Sequence, residues 1–222
     1  MEDMLFGEVL QALEATGQAD NTVVLYMSDH GDYCGAHGLW AKGVPAFSEA
    51  YHVPLMVRWP GRTAEPGSRV DEFISMTDFR PSFLELAGAQ ARSEHSGQSF
   101  VPFLRGERPA NWRDAWFTQF NGGELYYSQR TVTTRNWRYV YNGFDFDEMY
   151  DLQQDPQMMR NLVFPDLGAM PASTHTQGLA GPEGVPWPPL SPELEAVRRD
   201  LLTRLWGFAR EQEDIIFNPY LT

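Results

Sequence analysis

A carboxylate and an imidazole stand side by side at Asp29-His30, Gly31 follows them, and the loop DYCGAHGLWAK then runs from Asp32 to Lys42. Neighbouring Asp and His side chains can give one cation two ligands, and a glycine after them lets the backbone turn without a side chain over the site. The same three residues also fit a plainer role, in which Asp29 caps a turn and His30 faces water. Lys42 is the only lysine among 17 basic residues, the rest being arginine. A compact, strongly hydrated ammonium suits point contact with an anion better than a forked guanidinium does; an ordinary solvated surface lysine is the alternative. Cys34, the only cysteine, excludes an internal disulfide and a thiolate metal cluster, and reads as a small half-buried side chain.

These residues need elements to hold them. Thr22 to Met27, TVVLYM, is a continuous apolar and β-branched run of the kind found in strands buried on both faces. It would deliver Ser28-Asp29-His30-Gly31 at its C-terminal end, where open α/β sheets place ligands. Before it, Met4, Leu5, Val9, Leu10 and Leu13 form one helical stripe over residues 3–16, with Gly17 as the left-handed stop. Val53 to Arg58 reads as a further strand ended by Pro60-Gly61, and Thr77 or Asp78 can cap a helix that runs through Leu86 and stops at Gly88.

Beyond Gly106 the texture changes to short aromatic and β-branched runs: Ala115 to Phe120, Leu125 to Thr133, Trp137 to Tyr141 and Glu148 to Leu152. They predict a small antiparallel sheet. Residues 165–192 hold too many prolines and glycines for regular structure. Ser191-Pro192 then opens a helix that puts Leu194, Val197, Leu201, Leu205 and Phe208 on one face, fit to cover the sheet. The expected fold class is α/β, with one domain over residues 1–105 and a small α+β subdomain over 106–222.

Composition limits the partners. With 30 acidic against 17 basic residues the formal charge is -13, which repels nucleic acid and anionic membrane surfaces. An anionic substrate therefore needs positive charge concentrated at its own site. No apolar run approaches the ~20 residues of a membrane helix, and the opening MEDMLFGEVL lacks the basic-then-apolar order of a secretory signal, so compartment stays open.

The stretch NTVVLYMSDHGDYCGAHGLWAKGVPAFSEAYHVPLMVRWPG resembles, in order and spacing, the T-x-V-x-x-x-S-D-H-G, G-x-H-G-x-x-x-K and h-V-P-L-x-x-x-x-P-G segments of the sulfatases, members of the alkaline phosphatase superfamily. SGQSFVPFLRG (96–106) and MYDLQQDPQMMRNL (149–162) are similar to two later segments of that family, as is VDEFISMTDFRPSFLELAG (70–88). The resemblance covers residues 1 to about 163. It implies an alkaline phosphatase-like sheet with flanking helices in residues 1–105, the C-terminal part of the catalytic domain, followed by the small sheet and C-terminal helix.

It also implies a metal-dependent hydrolase of sulfate esters, acting on a sulfated small molecule or sugar. Asp29 and His30 would bind a divalent cation, usually calcium in this family, although a nitrogen ligand suits manganese or zinc better. Lys42 would contact the sulfate and the nucleophile's oxygen. His37 would reach the leaving group or order its loop, the second being the favoured role. His52 reads as a packing histidine; His95 and His175 receive no role.

Sulfatases act through a formylglycine made from the first residue of C/S-x-P-x-R, and that motif does not occur in these 222 residues. The chain is therefore expected to be the C-terminal part of a sulfatase and inactive by itself. A phosphonate monoester or phosphodiester hydrolase of the same superfamily and a non-catalytic interaction module are the alternative functions.

Overall fold

A computed structural model describes residues 2–123, 127–163 and 190–217. Its α-helices are α1 (Glu2–Ala15), α2 (Ser48–Tyr51), α3 (Phe79–Leu86), α4 (Val101–Leu104) and α5 (Pro192–Glu211). The strands are β1 (Val24–Met27), β2 (Leu55–Arg58), β3 (Ala115–Phe120), β4 (Gln129–Thr134), β5 (Trp137–Asn142) and β6 (Glu148–Asp151). The chain divides into two units, one within Met1–Gly31 and His52–Arg113, the other within Asp32–Tyr51 and Asp114–Thr222. The expected division after residue 105 treated the chain as two continuous pieces, whereas residues 32–51 group with the later part of the chain.

In the first unit β1 pairs antiparallel with β2, from Val24 opposite Arg58 to Met27 opposite Leu55. The expectation of a strand buried on both faces is corrected here. Each strand has one neighbour in a two-stranded sheet, β1 is half-buried throughout, and β2 alternates so that Met56 is exposed. A continuous apolar run does not specify how much of a strand is covered. Phe6 of α1 packs on Tyr26 with ring centroids 5.2 Å apart, while Met4, Leu5 and Val9 of the expected stripe are exposed.

The start of α3 is built around Asp78, which is fully buried. Asp78 is the N-cap residue of α3, one of the two expected, although its side chain makes no capping hydrogen bond there. Ser75 caps the short 3-10 turn Met76–Asp78 that precedes it, with Asp78 as reciprocal partner accepting from the Ser75 N–H at 2.7 Å. Asp78 also accepts from the Gln98 N–H at 2.8 Å and from both terminal nitrogens of Arg113. A buried carboxylate needs this many donors, because a desolvated charge left unpaired is costly. Gly88, with φ of 64°, ends the helix as expected.

The second unit contains the four-stranded antiparallel sheet β3-β4-β5-β6 in sequence order. Alternation decides its faces. Ala115, Val132, Tyr139 and Met149 form a core with Leu201 and Leu205 of α5, and Phe117, Trp137, Tyr141, Leu194 and Val197 pack around it. Phe208 stacks on Phe117 at 4.1 Å, so the predicted helical face meets the predicted sheet. Ser191 caps α5, accepting from the Leu194 N–H at 3.3 Å, with Pro192 in the first turn. The strand foreseen from Leu125 begins at Gln129; Leu125 and the Pro/Gly-rich segment up to residue 189 lie outside the described residues.

Candidate functional site

Ser28, Asp29 and His30 follow the C-terminal end of β1, in the first unit. The Ser28 hydroxyl donates to the His30 carbonyl at 2.6 Å, and the His30 N–H donates to Asp29 Oδ1 at 2.9 Å, so the dipeptide is held as a tight turn. His30 Nδ1 lies 2.9 Å from the Gly31 carbonyl. That contact requires a proton on Nδ1, and in the neutral ring it leaves Nε2 as the acceptor. Nε2 is 3.4 Å from Asp29 Oδ2. The two atoms form an ion pair when the imidazole is protonated and present two adjacent acceptors when it is not. A second-atom hydrogen bond that fixes the ring is the arrangement a metal-binding histidine uses. Among the described residues no group of three or more His, Cys, Asp and Glu side chains is arranged to hold a metal.

His37 and Lys42 lie on the loop at the start of the second unit. This loop is folded back on itself: the Tyr33 N–H donates to the Ala41 carbonyl at 2.9 Å and the Gly35 N–H to the Leu39 carbonyl at 2.8 Å. Tyr33 is buried and its phenol donates to the Pro45 carbonyl at 2.5 Å, reaching across Lys42; burial, with the nearby Tyr51 and Glu49, pushes that phenol well above its ordinary range. Three non-glycine residues of the loop, Cys34, His37 and Ala41, adopt positive φ of 48°, 54° and 61°. Side chains disfavour that region, and such strain persists only where surrounding contacts enforce it.

The His37 ring lies flat on Phe47, centroids 3.6 Å apart and planes within 5°, and its Nε2 is 3.7 Å from Glu49 Oε2. Its side chain is only 9% exposed. These contacts support the loop-ordering role. Lys42 is exposed. Two expectations are corrected: Cys34, at positive φ in the loop, is exposed rather than half-buried, and His52 is exposed just after α2 rather than packed. The Cys34 thiol is pushed above its ordinary value by the hydrogen bond with Asp32, which makes it a poor nucleophile. His95 Nδ1 lies 3.1 Å from the Gly97 carbonyl and is exposed; His175 is outside the described residues.

Arg138 of β5 was not foreseen. Tyr139 and Tyr141 beside it face α5, and Arg138 projects to the opposite face, where it is buried. Its Nη1 donates to the Ala46 carbonyl at 2.6 Å and its Nε to Thr133 Oγ1 at 3.0 Å. Strand alternation around Trp137, Tyr139 and Tyr141 was the available signal, since it puts Arg138 on the other face of a central strand.

Comparison with known proteins decides the family. Residues 35–171 match the family described as N-sulphoglucosamine sulphohydrolase, C-terminal. The chain belongs to this sulfatase family. It is 33% identical over 167 residues to the N-acetylglucosamine-6-O-sulfatase of Bacteroides thetaiotaomicron, covering 72% of this chain and 30% of that protein. It is 30% identical over 177 residues to the choline-sulfatase of Rhizobium meliloti, covering 78% and 33%. Among solved structures, one determined in complex with its substrate D-glucosamine-2-N,6-O-disulfate superposes with a TM-score of 0.75 at 26% identity, covering 94% of this chain and 38% of the other. The phosphonate monoester hydrolase of Agrobacterium radiobacter gives 0.68 at 30% identity, covering 72% and 34%. The chain thus spans about a third of the length of the curated sulfatases it matches.

Proposed function

We propose that this chain supplies part of the active site of a metal-dependent sulfate ester hydrolase. The observation that carries the reading is the Asp29-His30 turn, in which Oδ2 and Nε2 stand 3.4 Å apart with the ring fixed through Nδ1. In this reading Asp29 and His30 hold a divalent cation together with ligands from elsewhere in the whole protein. Calcium is the family's usual ion, and the imidazole nitrogen also suits manganese or zinc. Once bound, the cation supplies positive charge to the sulfate oxygens.

Lys42 has the complementary role. Its ammonium contacts a sulfate oxygen and the oxygen of the nucleophile, placing positive charge where negative charge develops. Such a local cation answers the requirement set by a net charge of -13. His37 orders the Lys42 loop. The nucleophile is not among these residues, so the reaction belongs to the complete enzyme, in which residues 1–105 form the end of an alkaline phosphatase-like catalytic domain. A sulfated sugar is the substrate class supported by the N-acetylglucosamine-6-O-sulfatase and by the structure holding a disulfated glucosamine.

The same chemistry serves another tetrahedral anion, and the likeness to a phosphonate monoester hydrolase supports that second reading. The test fuses residues 1–222 behind the N-terminal part of a sulfatase relative that bears C/S-x-P-x-R. Cation-dependent release of sulfate from an aryl sulfate supports the first reading. Preference for an aryl phosphonate moves the assignment to the second, and turnover of neither defeats both.

A further inference from the structure

A buried guanidinium without a carboxylate is an expensive thing to place in a protein. Arg138 is 4% exposed, and no Asp or Glu lies within ion-pair distance among the described residues. Desolvation accordingly pulls its pKa down to about 10, an effect opposed by the nearby Glu49 and Glu148 carboxylates and the phenol oxygens of Tyr51 and Tyr150. What Arg138 does make is specific. Nε donates to Thr133 Oγ1 on the neighbouring strand at 3.0 Å, which fixes the fork, and Nη1 donates to the Ala46 carbonyl at 2.6 Å and to Met158 Sδ at 3.3 Å. Ala46 is separated from Arg138 by 92 residues. It lies in the segment of residues 32–51 that contains His37 and Lys42.

The rest of that segment is seated beside the same place. Ala46 and Ala50 are buried, Phe47 packs on Tyr150 at 6.3 Å, and Tyr51 packs edge-on against Trp116 at 6.3 Å. Tyr150 lies opposite Arg138 in the β5-β6 register, and Trp116 lies opposite Thr133 in the β3-β4 register. The apolar contacts give the segment affinity for the sheet face, but they are not directional. The charge-assisted bond from Arg138 to the Ala46 carbonyl is directional, and it falls four residues after Lys42 on a chain that Tyr33 has already drawn into a closed loop.

We propose that Arg138 is a positioning residue: it fixes residues 32–51 to the sheet face opposite α5 and so sets the place of Lys42. The holding of the segment stands on its own; its consequence for catalysis rests on Lys42 contacting the sulfate, as proposed above.

Because Lys42 is the only lysine, a lysine-specific protease reads the opening of this loop at a single bond, between Lys42 and Gly43. The full 222-residue chain and its Arg138→Met and Arg138→Lys variants are digested side by side, with amide hydrogen exchange followed in residues 33–47 and in β4 and β5. Methionine fills the site without a donor, and lysine keeps one charged donor. Loss of a charge-assisted bond raises the open population about tenfold or more, so Arg138→Met is expected to be cut about tenfold faster, with faster exchange confined to 33–47. Arg138→Lys is expected to recover most of the protection. Cleavage of the Met variant at the wild-type rate overturns the proposal. So does exchange that rises equally in β4 and β5, which marks a general structural residue, or equal loss in both variants. In the fused enzyme described above, Arg138→Met then lowers kcat for the aryl sulfate with little change in KM. If Lys42→Ala leaves kcat unchanged while the protease result holds, the catalytic reading of Lys42 has failed and the positioning of the segment has not.

Discussion

Nε and Nη2 of Arg130 donate to the two carboxylate oxygens of Asp214, each at 2.5 Å, tying the start of β4 to the turn beyond α5. Both side chains are almost fully buried, 3% and 7% exposed. Burial alone would raise the Asp214 carboxyl, but the hydrogen bonds from Arg130 and from the Ile216 N–H outweigh it, and the group titrates below its ordinary value of 3.8. A carboxyl depressed on folding contributes stability that is present above the unfolded value and is lost as pH falls through the folded one. Asp214→Asn is therefore expected to cost about 3–5 kcal/mol at pH 7, and its urea midpoint should change less than wild type between pH 5 and about 2. Equal acid sensitivity in the two proteins would remove this pair as a source of the pH dependence.

Gly97 passes so close to the backbone before α3 that a Cβ there would lie 2.0 Å from the Thr77 carbonyl oxygen. Because backbone rather than a flexible side chain is in the way, Gly97→Ala must displace the 3-10 turn that presents Asp78. The expected loss is at least the ~1–3 kcal/mol typical of overpacking. Gly88→Ala is the useful comparison, since its Cβ meets nothing within 4 Å and the cost there comes from φ of 64°. Thermal melts of the two variants should rank Gly97→Ala as the less stable.

His37 can be separated from a proton donor by its stack on Phe47. If it orders the loop, His37→Phe in the fused enzyme keeps the ring contact and lowers kcat less than tenfold. A positioned acid contributes about 10²–10⁴, so a loss in that range would return His37 to the leaving group.

Residues 1–222 without an added N-terminal part should show no turnover of an aryl sulfate, with or without excess calcium or manganese. A nucleophile, a filled cation site and a proton donor must be held together to be effective, and these residues contain no C/S-x-P-x-R.

The small sheet and its helix were legible because their patterns are local. Strand alternation in Trp137 to Tyr141 and a Ser-Pro start before a five-residue apolar face each name an element without reference to the rest of the chain. The Asp-His pair and the lysine were legible as residue types at a spacing, and became specific only through resemblance to a family. The burial of β1 was misread because an apolar run reports what could be covered, not what covers it. Asp78, Arg130 and Arg138 escaped for one common reason. Their partners, Arg113, Asp214 and Ala46, are 35, 84 and 92 residues distant; strand alternation could assign Arg138 a face, but sequence pattern does not pair residues at that range.

The account depends most on Lys42 acting at the sulfate. The measurement that addresses it is kcat for an aryl sulfate in the fused enzyme, compared between wild type and Lys42→Ala at saturating cation, with circular dichroism to match the two folds. A lysine aimed at developing charge is worth about 10²-fold or more, so kcat is expected to fall by at least that factor. A Lys42→Ala enzyme that releases sulfate within a few-fold of wild type would contradict the assignment of this chain's loop to the active site.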